Sequence, residues 1–220
     1  MGGHFARSMA ALLTLAVAAP AAAEGVQIWS TASLNAPLAG QWRGQVDLSG
    51  RTRGGYANGQ FVGRLTILHA VAPGLVAGGG YAHNSNYPAR GAVTTEGQLF
   101  EQLIWDIPAG PIRLAARTRL EQRFQEGVDG TAWRLREQVK LSMPLWHSKM
   151  RAVLFAEPFL NLNHTSRVRE DFDQLRSFAG LNLPLTRHAA LEFGYLGQFR
   201  HRLSGNSWIH AVPLTLSVRL

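Results

Sequence analysis

Arginine recurs at alternate positions in the middle of this sequence, and that spacing is its strongest chemical signal. Arg113, Arg117, Arg119, Glu121 and Arg123 share one parity, as do Arg134, Arg136, Gln138 and Lys140 in the next segment. Glu157 with Asn161, Gln174 with Arg176, and Glu192 with Gln198 and Arg200 hold the polar parity of later segments. Side chains two apart on an extended chain point to the same face, so each set forms a row. Enclosed and filled, such rows pair into a hydrogen-bonded plug, with Glu121 and Glu157 neutralising neighbouring arginines, because an unpaired buried charge is costly. Enclosed but open, the same rows line a narrow anion-selective lumen.

Nucleophilic chemistry has one candidate. Asn163-His164-Thr165-Ser166 follows Glu157 and Asn161 closely. His164, Ser166 and Glu157 would supply base, nucleophile and carboxylate for a lipid-modifying hydrolase. The set resembles the His/Ser/Asn group of outer-membrane phospholipase, but no G-x-S-x-G accompanies it, so catalysis stands as the alternative to a structural or solute-transport role. Eight histidines fall in no metal-binding spacing, and cysteine is absent, so neither a metal nor another cofactor is expected, nor is a disulfide framework. Gly78-Gly79-Gly80 lacks the Lys-Ser/Thr of a phosphate loop and reads as strand packing. The net charge of +8 sits on strand faces without a nucleic-acid module, so nucleic acid is not an expected partner. Arg90, Arg167 and Arg169, in polar connecting segments, suit anionic lipopolysaccharide.

The elements that carry these rows are strands. Apolar residues occupy the parity opposite each polar row: Leu114, Ala116 and Leu120; Trp133, Leu135, Val139 and Leu141; Leu191, Phe193, Tyr195 and Phe199. Glu137 interrupts its apolar set. The pattern predicts ten strands at about 41–53, 60–71, 75–84, 95–107, 111–124, 131–143, 151–162, 172–183, 189–200 and 207–220. Each is long enough to cross a bilayer when tilted. Residues 26–34 form a possible eleventh, to be reconciled with the even number usual in bacterial barrels by a place in the lumen or at the rim, or by a hidden twelfth strand. Short connections at 72–74, 108–110, 144–150 and 184–188 alternate with longer polar ones at 54–59, 85–94, 125–130, 163–171 and 201–206.

Alternation alone does not say which face is inside. Three features turn the apolar face outward. Phe61, Tyr81, Phe124, Trp133, Phe199 and Trp208 gather at the loop end of that face, and Trp42 and Trp105 at the turn end, as in the aromatic girdles of membrane barrels. The polar face is rich in arginine rather than lysine, which suits enclosed pairing. The last strand ends on apolar Leu220, resembling the terminal signal by which outer-membrane barrels engage their assembly machinery. Residues 1–23 read as a signal peptide, with an apolar stretch over 9–19 and Ala21-Ala22-Ala23 before Glu24. The expectation is an all-β chain: a signal peptide at 1–23, then at 24–220 an antiparallel up-and-down transmembrane β-barrel of 10–12 strands in the bacterial outer membrane, among lipid and lipopolysaccharide.

Six blocks sharpen this: RTRLEQRF (117–124), WRLREQVKL (133–141), FAEPFLNLN (155–163), FDQLRSFAGL (172–181), LEFGYLGQF (191–199) and HAVPLTL (210–216). In this order they resemble the domain-of-unknown-function family 2490 of bacterial proteins, which implies an outer-membrane barrel and no assigned activity. Leu175 stands where that family's D-Q-N-R block has Asn.

Overall fold

The computed structural model describes residues 25–52, 58–145, 148–202 and 205–220; the expected signal peptide lies outside them. The strands are β1 (Gln27–Pro37), β2 (Trp42–Thr52), β3 (Gly59–Ala72), β4 (Leu75–Tyr87), β5 (Thr94–Ala109) and β6 (Ile112–Gln125). They continue with β7 (Ala132–Pro144), β8 (Arg151–Asn161), β9 (Asp171–Pro184), β10 (Ala189–Arg200) and β11 (Ser207–Arg219). Consecutive strands pair in antiparallel register from β1 to β11, and β1 then pairs with β11 to close the barrel. No helix long and apolar enough to cross a membrane occurs among the described residues.

Closure corrects two expectations. Residues 26–34 belong to a full strand of the wall, not to a segment in the lumen or at its rim, and no twelfth strand exists among the described residues. With eleven strands the first and last run the same way, so the β1–β11 seam is parallel, from Gln27↔Ala211 to Asn35↔Arg219. The barrel is therefore mixed rather than wholly antiparallel. The seam leaves no free strand edge, which is what a closed sheet achieves and an open one must manage otherwise.

The strand faces are sorted by chemistry. Leu65, Leu99, Leu103, Val139, Leu214 and Leu216 are exposed on the outside. Inside, Glu121, Glu157, Arg119, Gln98, Gln102 and Gln198 are buried. Trp42 and Trp105 face outward at the turn rim, Phe61, Phe124 and Trp133 at the loop rim. The interior is not uniformly polar. Trp29, Val153, Phe178, Leu196, Ile209 and Ala211 form an apolar cluster beneath the seam, with Phe155 against it.

Local chemistry fixes the details. Gly74 and Gly110 adopt φ of +75° and +62° in the β3–β4 and β5–β6 turns, a backbone region that favours glycine. In β4, a Cβ on Gly80 would stand 2.1 Å from the Leu65 carbonyl oxygen and 2.8 Å from the Phe100 ring, so this glycine makes room for an inward aromatic. Pro158 brings no N–H, and the β7–β8 pairing passes from Arg136↔Phe159 to Val139↔Ala156 around it. A bulge carries the β8–β9 register from Phe159↔Gln174 to Leu160↔Phe172. Asp173 and Gln174 are consequently both buried, where strict alternation would send one outward.

Candidate functional site: an arginine-lined vestibule over a paired floor

Every residue expected to line the lumen lies on the inward parity of its strand. Those of β6 and β7 are brought together at mid-height. Arg134 donates from Nε to Glu121 Oε2 at 2.8 Å, and Arg136 from Nη1 to Glu121 Oε1 at 2.7 Å. Arg136 also donates from Nη2 to Glu157 Oε1 at 2.6 Å, the atom that Arg117 Nη2 reaches at 2.6 Å. Arg136 thus bridges two carboxylates, and Glu157 bridges two arginines. Arg119 donates through Nε and Nη2 to Gln102 Oε1 at 3.0 and 2.6 Å. Glu121 is 0 % exposed and Glu157 2 %, so water has almost no access to these charges and the pairing must satisfy them.

The pairing continues above and below this layer. Toward the loop rim, Glu96 accepts a fork from Arg123 Nε and Nη2, both at 2.8 Å, and a bond from Gln125 at 2.9 Å. Toward the turn rim, Lys140 Nζ reaches Glu192 at 2.9 and 3.0 Å, joining β7 to β10 across the barrel. Arg176 donates from Nε to Gln198 Oε1 at 3.0 Å, and Gln198 donates to Gln174 Oε1 at 2.8 Å. Asn161 is buried near Arg134, and Arg200 lines the cavity described below. Arg113, at the turn rim, is exposed and takes no part in the network.

Sequence reasoning missed two groups. Asp47, Arg51, Arg64, Gln102 and Asp173 also stand inside; Arg64 lies 3.5 Å from Asp47, and Arg202 donates to Asp173 at 2.6 Å. Four of these carry the alternation signal of their strands; Asp173 depends on the bulge. The second group is aromatic. The Phe159 ring has Arg136, Arg176 and Arg134 over it at 4.3, 4.8 and 5.2 Å. Arg119 lies over Phe100 at 4.3 Å, and Arg51 and Arg176 over Trp29 at 4.3 and 5.3 Å. Ring faces attract cations, so these aromatics hold guanidiniums where carboxylates are too few.

The hydrolase candidates do not assemble. His164 and Ser166 are exposed in the β8–β9 connection, while Glu157 is buried in the mid-height layer and committed to two guanidiniums. Asn163 latches this loop to the β7 end, accepting from Trp133 N at 2.7 Å and donating to the Thr131 carbonyl at 2.9 Å. No group of three or more His, Cys, Asp or Glu suited to a metal occurs among the described residues.

Between the mid-height layer and the loop rim lies a cavity of about 1050 Å³. Among the described residues, ten arginines line it against three carboxylates, Glu96, Asp171 and Asp173. The β8–β9 loop supplies part of the wall: a tight turn from Thr165 to Val168 buries Val168, and Arg167 and Arg169 stand beside it. A second cavity of about 160 Å³ lies against Trp29, Phe155 and Phe178. Arg51 and Arg176 line both.

Comparison with known proteins places the chain in a family and adds no activity. Residues 26–208 match a family described as a protein of unknown function, DUF2490. An uncharacterized protein of Methylorubrum extorquens is 33 % identical over 230 residues, covering 98 % of each chain.

Proposed function

Given that this chain belongs to the DUF2490 family of proteins of unknown function, we propose that it is an outer-membrane β-barrel whose interior is filled at mid-height, a structural barrel rather than an open pore. The outward apolar side chains and the aromatics at both rims support a bilayer around the wall. Turned toward lipid, the polar and charged interior rows would be costly, so they are enclosed. Longer polar loops at one rim and short turns at the other support an orientation with the loops outside, where Arg90, Arg167 and Arg169 would meet lipopolysaccharide.

The observation that carries the filled reading is the burial of the mid-height side chains. Phe100, Arg119, Glu121, Glu157 and Phe159 are each at most 3 % exposed. With the apolar cluster beneath the seam, they occupy the section through which ions would have to pass. The excess of arginine favours anions in the second reading, a narrow solute pore. Planar-bilayer recording separates the two. The filled barrel gives no steady conductance step, whereas reproducible anion-selective steps would replace it with the pore. Separation of inner and outer membranes on a density gradient tests the location independently.

A further inference from the structure

Arg176 differs from the other guanidiniums of this layer. Arg117, Arg119, Arg134 and Arg136 each reach Glu121 or Glu157 within 4.0 Å. Arg176 has an amide and two ring faces as its partners and forms no ion pair among the described residues. The imbalance extends to the whole layer. Six guanidiniums (Arg64, Arg117, Arg119, Arg134, Arg136 and Arg176) meet four carboxylates (Asp47, Glu121, Glu157 and Asp173, the last shared with Arg202) through ion pairs or around Phe159. The cavity above repeats the excess at ten to three.

A partly buried surplus of positive charge is costly until an anion offsets it. The chemistry of the surplus selects which anion. A guanidinium held by ring faces keeps its N–H edge for hydrogen bonds, and that planar fork fits two oxygens of one oxyanion. Chloride offers no such pair of acceptors. Three guanidiniums, those of Arg134, Arg136 and Arg176, converge on the Phe159 ring, and all line the larger cavity. At about 1050 Å³ that cavity matches the upper end of small-molecule sites, about 300–1000 Å³, so there is room for an organic body behind the anionic group.

We propose that the vestibule binds a phosphate monoester on a sugar-sized body, with the phosphate seated at Phe159 on the Arg176 guanidinium and flanked by Arg134 and Arg136. This rests on the filled-floor reading, which makes the upper half of the barrel a cup rather than a passage.

The test uses the full chain folded in detergent. Inorganic phosphate, glucose 6-phosphate, glucose and chloride are titrated calorimetrically at constant ionic strength. Phosphate and glucose 6-phosphate are expected to saturate one site, and glucose and chloride none. Arg176→Gln and Arg176→Lys should each weaken phosphate binding by about tenfold or more, the loss expected for a charge-assisted fork. A second measurement needs no variant. Phenylglyoxal modifies accessible arginines, and phosphate should protect the peptide carrying Arg176, read by mass spectrometry. Lipopolysaccharide that competes with glucose 6-phosphate identifies a lipid-borne phosphate; lipopolysaccharide that does not compete identifies a soluble ester. Either result supports the site. Non-saturable binding, equal binding of chloride, unchanged affinity in both variants, or absence of protection overturns it. Titration in detergent is independent of the conductance and fractionation experiments, so failure of the site and failure of the filled-barrel reading are told apart.

Discussion

Glu121 makes the sharpest case at the scale of single residues. It accepts from Arg134 and Arg136, and its exposure is 0 %. Replacing it with glutamine removes the carboxylate that Arg134 and Arg136 share, leaving Arg136 to Glu157 and Arg134 to Asp173 at 3.7 Å, and breaking such a buried pair typically costs about 3–5 kcal/mol. Glu192 pairs with Lys140, whose side chain is 34 % exposed, so water can take over and Glu192→Gln should cost about 1 kcal/mol or less. Urea unfolding of the two variants in one detergent measures the difference. Equal losses would mean that burial does not govern these pairs. The partnership of Glu121 and Glu157 with neighbouring arginines was legible in the sequence because parity put them on one face. The platforms were not. Trp29, Phe100 and Phe159 occupy the polar parity, where an aromatic looks like a break in the pattern until the guanidinium over it is seen.

The strands themselves were readable almost to their ends. The expected 189–200 coincides with β10, and the expected 131–143 lies one residue from β7 at each end. A period of two is a direct consequence of extended backbone with two chemically different faces, so long strands announce themselves. The Asp173 bulge did not, because one extra residue changes the facing of a side chain without changing composition. Glu137, which breaks the outward apolar set of β7, now has a local partner: it accepts from Thr118 Oγ1 at 2.8 Å, next to Glu101 accepting from Gln122 at 2.9 Å. These two pairs put polar groups on the outward faces of β5, β6 and β7. In a bilayer such groups weaken the wall, by less than the about 2–4 kcal/mol of a central lysine or arginine. Glu137→Leu combined with Thr118→Val should therefore gain about 1 kcal/mol in lipid vesicles, measured by denaturant unfolding followed through tryptophan fluorescence. A loss of stability would show that this polar strip has a partner other than lipid.

Across the whole molecule, the sequence conveyed the class of fold and which face turns inward, and left the strand count open. Residues 26–34 were the reason. Gln27, Trp29, Thr31 and Ser33 alternate with Ile28, Ser30, Ala32 and Leu34, a weak contrast between faces. Only the partners of that segment, β2 on one side and β11 on the other, make it a wall strand. The filled interior was equally invisible, because it needs the arginine rows of β6 and β7 and the apolar cluster of β1 and β8–β11 to meet in one cross-section. Local patterning does not encode which rows meet across a closed sheet.

The parallel seam has a consequence for the chain's path. On the proposed outer-membrane reading, a wall crossed an odd number of times delivers its head and tail to different compartments. Gly25, just ahead of β1, emerges at the same rim as the long loops, and Arg187, in the β9–β10 turn, at the other. Native thiols are absent, so single cysteines report cleanly. In intact cells, a membrane-impermeant maleimide should label Gly25→Cys and spare Arg187→Cys until the envelope is opened. Simultaneous labelling of both would be incompatible with one chain end outdoors and the opposite turns within.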